Sequence, residues 1–202
     1  MAEQLAKPSK EQVLDLIEAK LESATLEQVS LSEVAQELGV TSRSIFKQFR
    51  TKFEIADALA ARQLSCLMAE FERNLATGRP EQKLAVFLAG PALHWIQIIE
   101  ARPGMASVMV TAVSRQRRAV TNFRAFIQEK LQTILEEGQR VGEFRQFDTR
   151  LWARTIFDLM AVVGDPRVVQ LIPLPEVSSR TDRVVSFILQ SVLRETPAES
   201  AL

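Results

Sequence analysis

Between its glycines and prolines this chain spaces its apolar residues three and four apart almost throughout, and that period leaves room for helices and little else. The punctuation falls at Pro8, Gly39, Gly78 with Pro80, Gly90 with Pro91, Pro103 with Gly104, Gly138, Gly142, Gly164 with Pro166, and then Pro173, Pro175 and Pro197. No strand-like alternation persists, and no repeat of solenoid length occurs. Tyrosine is absent, glycine totals seven in 202 residues, and Ala, Leu, Glu, Gln and Arg are abundant, which favours helix over strand. The expected fold class is all-α.

Several functions are excluded early. His94 is the sole histidine and Cys66 the sole cysteine, so one chain holds neither a histidine-rich metal site nor an internal disulfide framework. Without a nucleophile–base pair or a glycine-rich phosphate loop, no catalytic residue, metal or cofactor is expected. The segment MAEQLAKPSKEQ has no apolar run of signal-peptide length. The longest uncharged stretch, Leu84–Ile99, is sixteen residues, short of the roughly twenty that cross a bilayer. It reads as a buried helix kinked at Gly90-Pro91. A cytoplasmic protein with no membrane partner is expected.

The first helix is expected over Lys10–Ala24. Ser30-Leu31-Ser32-Glu33 has capping-box spacing, so a short helix follows until Gly39, where a left-handed backbone is needed. Thr41 then caps a third helix that turns Ile45, Phe46 and Phe49 inward, and Thr51-Lys52-Phe53-Glu54 opens a long helix to Ala76, with Phe53 in the core. Further helices are expected over Glu81–Glu100, Met105–Ser114, Gln116–Gly138, from the cap Asp148 to Val163, and from Ser179-Arg180-Thr181-Asp182 to Arg194. The domains are therefore 1–50, a small three-helix module, and 51–202, a larger helical body.

Charge singles out one part of this scheme. The whole chain balances 25 cations against 25 carboxylates, yet residues 38–53 carry Arg43, Lys47, Arg50 and Lys52 and no acid. Two short helices with a tight turn between them make a helix-turn-helix, whose second helix can enter a major groove. Ser30, Thr41, Ser42 and Ser44 crowd the helix starts, where unpaired N–H groups suit phosphate oxygens. A solvated basic face, with hydroxyls that only cap, is the plainer alternative.

Val34-Ala35, Leu38-Gly39-Val40-Thr41, Ser44-Ile45-Phe46, Phe49 and Lys52-Phe53-Glu54 resemble the signature of the TetR family of transcriptional regulators, without gaps. A weaker echo, Glu137-Gly138-Gln139-Arg140-Val141-Gly142-Glu143-Phe144-Arg145, looks like a segment of that family's regulatory domain. The resemblance implies an N-terminal helix-turn-helix module joined by a long helix to a helical ligand-binding and dimerisation domain. It implies a double-stranded DNA operator, a small-molecule effector and a second copy of the chain as partners. Where the family usually has a tyrosine that contacts the DNA backbone, this chain has Phe46, which cannot donate that bond. Ser42 then Arg43 stand where a basic and a small residue are common, so the target sequence is not inherited.

On this reading Arg43, Ser44 and Lys47 face base edges or groove walls. Arg suits a bidentate contact with guanine. Ser30, Thr41, Gln48 and Lys52 meet the backbone, with Arg50, Lys7 and Lys10 as further contacts. The effector pocket is expected among His94, Trp95, Met105, Met109, Phe123, Phe126, Trp152 and Phe157, although such residues at helical spacing also make ordinary core. No charged group marks the site, so a largely hydrophobic or aromatic effector is expected. Two late helices are apolar on more than one face, which places Ile156, Leu159, Met160, Val163, Val184, Val185, Ile188 and Val192 at a dimer interface. The expected function is a ligand-responsive repressor released from a palindromic operator by its effector. The alternative is a ligand-independent helix-turn-helix DNA-binding or adaptor protein.

Overall fold

The computed structural model describes residues 8–194, and the arm residue Lys7 lies outside them. Ten helices run in order among the described residues: α1 (Lys10–Lys20), α2 (Leu31–Glu37), α3 (Ser42–Phe46), α4 (Lys52–Leu75), α5 (Pro80–Ala101), α6 (Pro103–Ser114), α7 (Arg118–Arg140), α8 (Thr149–Gly164), α9 (Pro166–Val169) and α10 (Leu174–Val192). Of these residues, 8–66 with 95–121 pack as one compact unit and 67–94 with 122–194 as another.

In the first unit the starts of the helices follow local chemistry. Ser9 accepts the Gln12 N–H at 3.1 Å while the Gln12 side chain accepts the Ser9 N–H at 2.9 Å, a complete capping box. Ser30 accepts from Glu33 N–H and Thr41 from Ser44 N–H. Thr51 caps α4, but the Glu54 carboxylate reaches one residue further back than a capping box requires, to the Arg50 N–H at 2.9 Å. Val13, Ile17, Leu21, Val34, Ile45 and Phe49 form the buried heart of the small helices.

Two helix ends share one design. After α2, Gly39 N–H donates to Gln36 and Val40 N–H to Ala35, with Gly39 at φ +65°. After α6, Gln116 donates to Val113 and Arg117 to Ala112 in the same pattern, but the left-handed residue is Gln116, at φ +47°. Glycine adopts that conformation without penalty and glutamine does not. At the α5–α6 corner Gly104 N–H donates to the Leu21 carbonyl at 3.1 Å, and a Cβ on Gly104 would stand 2.0 Å from the Ala24 carbonyl oxygen. The corner fits onto the end of α1 only because position 104 has no side chain.

The second unit buries Phe71 against Phe87, ring centres 4.8 Å apart, under Gly90. In the segment that resembles a regulatory domain, Phe144 lies over Gly138, where a Cβ would meet the ring at 2.0 Å. Backbone bonds from Arg145 N–H to the Val192 carbonyl and from Arg194 N–H to the Glu143 carbonyl tie that segment to the end of α10. Asp148 caps α8 as expected, accepting Leu151 N–H at 3.0 Å.

Four expectations need correction. The first helix stops at Lys20, not Ala24. The Leu21 carbonyl is taken by Gly104, and the Thr25 N–H that would have continued the helix is taken by the Gln28 side chain. The last helix begins at Leu174, not Ser179. Pro175 in its first turn costs no hydrogen bond, and Thr181 sits inside the helix, donating to the Val177 carbonyl at 2.8 Å. The one-turn helix α9 adds an element that periodicity does not announce. Finally, α5 runs unbroken for 22 residues through Pro91 and is long and apolar enough to cross a membrane, by length and composition alone. It is only partly buried: Leu84, Phe87 and Leu88 point inward while Val86 and Leu93 are about half exposed.

Two substitutions test these constraints. Gly104→Ala forces a methyl into a backbone oxygen and is expected to cost about 1–3 kcal/mol. Gln116→Gly relieves the left-handed turn and is expected to stabilise by about 0.5–1 kcal/mol. Urea unfolding at unchanged slope reads both.

Candidate nucleic-acid interface

The charge pattern of residues 38–53 becomes a surface in the first unit. Arg43, Lys47 and Arg50 are all exposed, and Ile45 and Phe49 between them are buried. Residues about one turn apart on α3 and its extension thus send cations outward while the apolar pair anchors the helix. Phe46, expected to turn inward with Ile45 and Phe49, is instead 48% exposed, because it lies one residue past the buried Ile45 on a helix of about 3.6 residues per turn, and it offers only an apolar surface there. Phe53, expected in the core, is instead 56% exposed, with the Arg115 guanidinium 4.7 Å from its ring centre.

The hydroxyl side chains are occupied locally. Thr41 and Ser44 share a hydrogen bond at 3.0 Å, and Ser42 donates to Ser32 at 3.5 Å. A hydroxyl that accepts a cap bond still has a proton to donate, so Ser30, whose hydroxyl makes no other bond among the described residues, retains the capacity to meet a phosphate.

Two residues expected to touch a nucleic-acid backbone serve the protein's own. Lys52 Nζ donates to the carbonyls of Leu26, Glu27 and Val29 at 3.0, 2.7 and 2.7 Å. An ammonium has three protons, and all three are used. Lys52 is therefore a clamp that fastens the α1–α2 loop to the start of α4. Gln48 Nε2 donates to the Pro8 carbonyl at 2.6 Å and holds the entering chain. Lys10 lies over the Phe49 ring at 5.4 Å. No sequence signature marks loop carbonyls as acceptors, so residue type alone does not reveal this clamp.

A second clamp centres on Glu18 of α1. Its carboxylate accepts from Arg62 and Gln63 on α4 and from Arg102 at the α5–α6 corner, while Arg62 also reaches Asp15 at 2.5 Å. Burial works against the Arg62 charge, yet the bonds it donates to Glu18 and Asp15, with their negative charges, outweigh it and hold its pKa above the ordinary value. One carboxylate thus joins the head to both elements that lead away from it.

The residues expected at an effector site fall in both units. Trp95, Met105 and Met109 are buried in the first. His94, Phe123, Phe126, Trp152 and Phe157 are half-buried in the second, where Trp152 stacks on Phe147 at 4.7 Å with Arg145 5.4 Å from its ring. A cavity of about 250 Å³ in the second unit is lined by none of these. Its walls carry Lys83 paired with Glu137 at 2.9 Å and Lys130 paired with Glu72 at 3.1 Å. Among the described residues no group of three or more His, Cys, Asp or Glu side chains is placed to hold a metal ion.

Of the residues expected at a dimer interface, Ile156, Met160, Val163, Ile188 and Val192 are buried within the single chain. Val184 and Val185 are half-buried, and Leu159 is exposed. The apolar side chains that α8 and α10 leave uncovered include Leu151, Leu159, Val162 and Phe187. Two-sided apolarity is legible in the sequence, but which side faces inward is not.

Comparison with known proteins gives the geometry a context. The tetracyclin repressor-like, C-terminal domain family matches residues 80–185, more than half of the chain. No curated protein matches the sequence. Among solved structures, a transcriptional regulator from Cytophaga hutchinsonii superposes with a TM-score of 0.74 at 14% identity, covering 91% of this chain and 98% of that one. The regulator FadR from Bacillus subtilis, in complex with stearoyl-CoA, gives 0.63 at 18% identity over 90% and 98%. SmeT, the repressor of a Stenotrophomonas maltophilia multidrug efflux pump, gives 0.63 at 16% identity over 98% and 97%. At these identities the likeness to solved structures is one of fold.

The clamps are separable from the outward cations. Lys52→Met keeps the stem and deprives three carbonyls of their donor, and Glu18→Gln weakens the charge-assisted bonds that converge on that carboxylate. Each is expected to cost about 1–3 kcal/mol. Arg43→Gln, on an open surface, is expected to stay within about 0.5 kcal/mol of the parent. Thermal unfolding distinguishes them.

Proposed function

Because this chain belongs to the TetR family of transcriptional regulators, we propose that it is a ligand-responsive repressor that binds a palindromic operator as a homodimer and leaves it when a small, largely apolar effector binds. The observation that carries this reading is the acid-free recognition helix, with Arg43 and Lys47 exposed beside Ser44 on a head braced by Lys52 and Glu18. Arg43, Ser44 and Lys47 read the groove. Ser30, Thr41 and Arg50 fix the backbone, and Gln48 and Lys52 act indirectly by holding the head in shape. The division of labour is 1–50 for reading DNA and 51–202 for regulation and pairing. Like its family, the protein works as a soluble regulator in the cytoplasm.

A dimer sets the geometry: two recognition helices must stand about 34–36 Å apart to meet successive major grooves on one face of duplex. Leu151, Leu159, Val162 and Phe187 supply exposed apolar surface for pairing. Helix α4 runs from the head into the body, so a ligand that favours another tilt favours another spacing. Switching from 99:1 to 1:99 needs about 5.5 kcal/mol of differential affinity, to which burial contributes roughly 25 cal/mol per Å² of apolar surface. An apolar effector accords with the aromatic and methionine residues of the body and with the fold relative held in complex with stearoyl-CoA.

A second reading is a DNA-binding protein that needs no effector, in which Trp95, Met105 and Met109, all buried, are ordinary core. One experiment separates the two. Fragments bound by the full-length protein are selected from random duplex, and the recovered site is titrated with and without lipophilic compounds that raise the melting temperature. A palindrome bound by two chains, with affinity lowered at saturating compound, is expected. Operator binding with no stabilising compound selects the second reading, and failure to select any site contradicts both.

A further inference from the structure

The chain holds a second acid-free basic stretch, longer than the first. Between Glu100 and Glu129 there are five arginines and no carboxylate, the longest carboxylate-free run in the sequence. Three of the five have acidic neighbours supplied from elsewhere: Arg102 bonds Glu18, Arg117 Nε lies 3.0 Å from Asp57, and Arg124 faces Asp165. Arg115 and Arg118 are exposed, and neither forms an ion pair with a described residue. Arg115 sits on the turn between α6 and α7 and Arg118 is the first residue of α7, both within the compact unit that contains the reading head.

That turn is fixed against the first two turns of α4. Arg115 stacks on Phe53 and Arg117 pairs with Asp57, so the turn meets α4 at positions one and five residues beyond Lys52. Its own backbone is closed by the two hydrogen bonds that follow α6 and by Gln116 in a left-handed conformation. A non-glycine residue held there by surrounding structure is the kind of local strain that accumulates at functional sites. The first turn of α4 offers no outward cation of its own, because Lys52 donates all three of its protons to the α1–α2 loop.

We infer that Arg115 and Arg118 bind the phosphate backbone of the same duplex that the head reads, restoring beside α4 the positive charge that Lys52 turns inward. This rests on the DNA-binding reading above. The interaction carries no sequence information: arginine on phosphate adds affinity and fixes register, and base edges alone specify. Each phosphate neutralised releases condensed counterions, so it contributes about 0.9 to the slope of log affinity against log salt.

The test is a titration of labelled selected operator, and of an unrelated duplex, with full-length protein at a series of salt concentrations. Arg118→Gln breaks no hydrogen bond or ion pair among the described residues. It is expected to lower the slope by about 0.9 for each phosphate that is no longer neutralised, and to weaken both duplexes by the same factor. Arg115→Gln is expected to do likewise and Arg115→Lys to restore the slope, which separates charge from packing on Phe53. An unchanged slope in Arg118→Gln and in Arg115→Gln at unchanged melting temperature overturns the inference while leaving the DNA-binding reading intact. A parent protein that binds neither duplex overturns both.

Discussion

Helices of seven and five residues are too short to be stable alone, since nucleation is unfavourable and a short helix forms few bonds to offset it. Because α2 and α3 have these lengths, the reading head exists only as far as something outside it holds it in shape. Four devices do so: hydroxyl caps at Ser30 and Thr41, the left-handed turn at Gly39, the Lys52 ammonium on three loop carbonyls, and the Glu18 carboxylate shared by Arg62, Gln63 and Arg102. The first two are local and orient the short helices relative to each other. The last two are tertiary and tie the head to α4 and to the α5–α6 corner.

This arrangement explains why legibility in the sequence is uneven. Caps and left-handed turns depend on residue type at a fixed offset, so Thr41, Gly39, Thr51 and Asp148 can be read in advance. Ser9 with Gln12 obeys the same rule, although only Gln12's reach back to the Ser9 N–H completes it. Lys52 cannot be read this way, because a lysine's partners are set by the loop that folds over it, and backbone carbonyls leave no trace in residue type. The inward side of α8 and α10 is hidden for a related reason. With apolar residues on two faces, periodicity identifies both and ranks neither, and only packing shows that Ile156 and Val163 point in while Leu159 and Val162 point out.

The same logic governs charge. A neutral chain concentrates cations by removing acids from particular stretches, and two such basic stretches, residues 38–53 and the run between Glu100 and Glu129, both contribute to the unit that contains the head. In each, some cations are consumed structurally: Lys52 in one, Arg102 and Arg117 in the other. What remains outward, Arg43, Lys47, Arg50, Arg115 and Arg118, is the surface that the proposed function assigns to duplex. Sequence charge thus overstates the interface, and the structure removes the cations already committed to the fold.

A palindromic operator requires that this surface be presented twice to one face of duplex. A hydroxyl-radical footprint of the full-length protein on its selected site measures that directly. Two protected segments about one helical turn apart, related by two-fold symmetry, are predicted. A single protected segment, or uniform protection that slides along the fragment, would contradict the account at its centre.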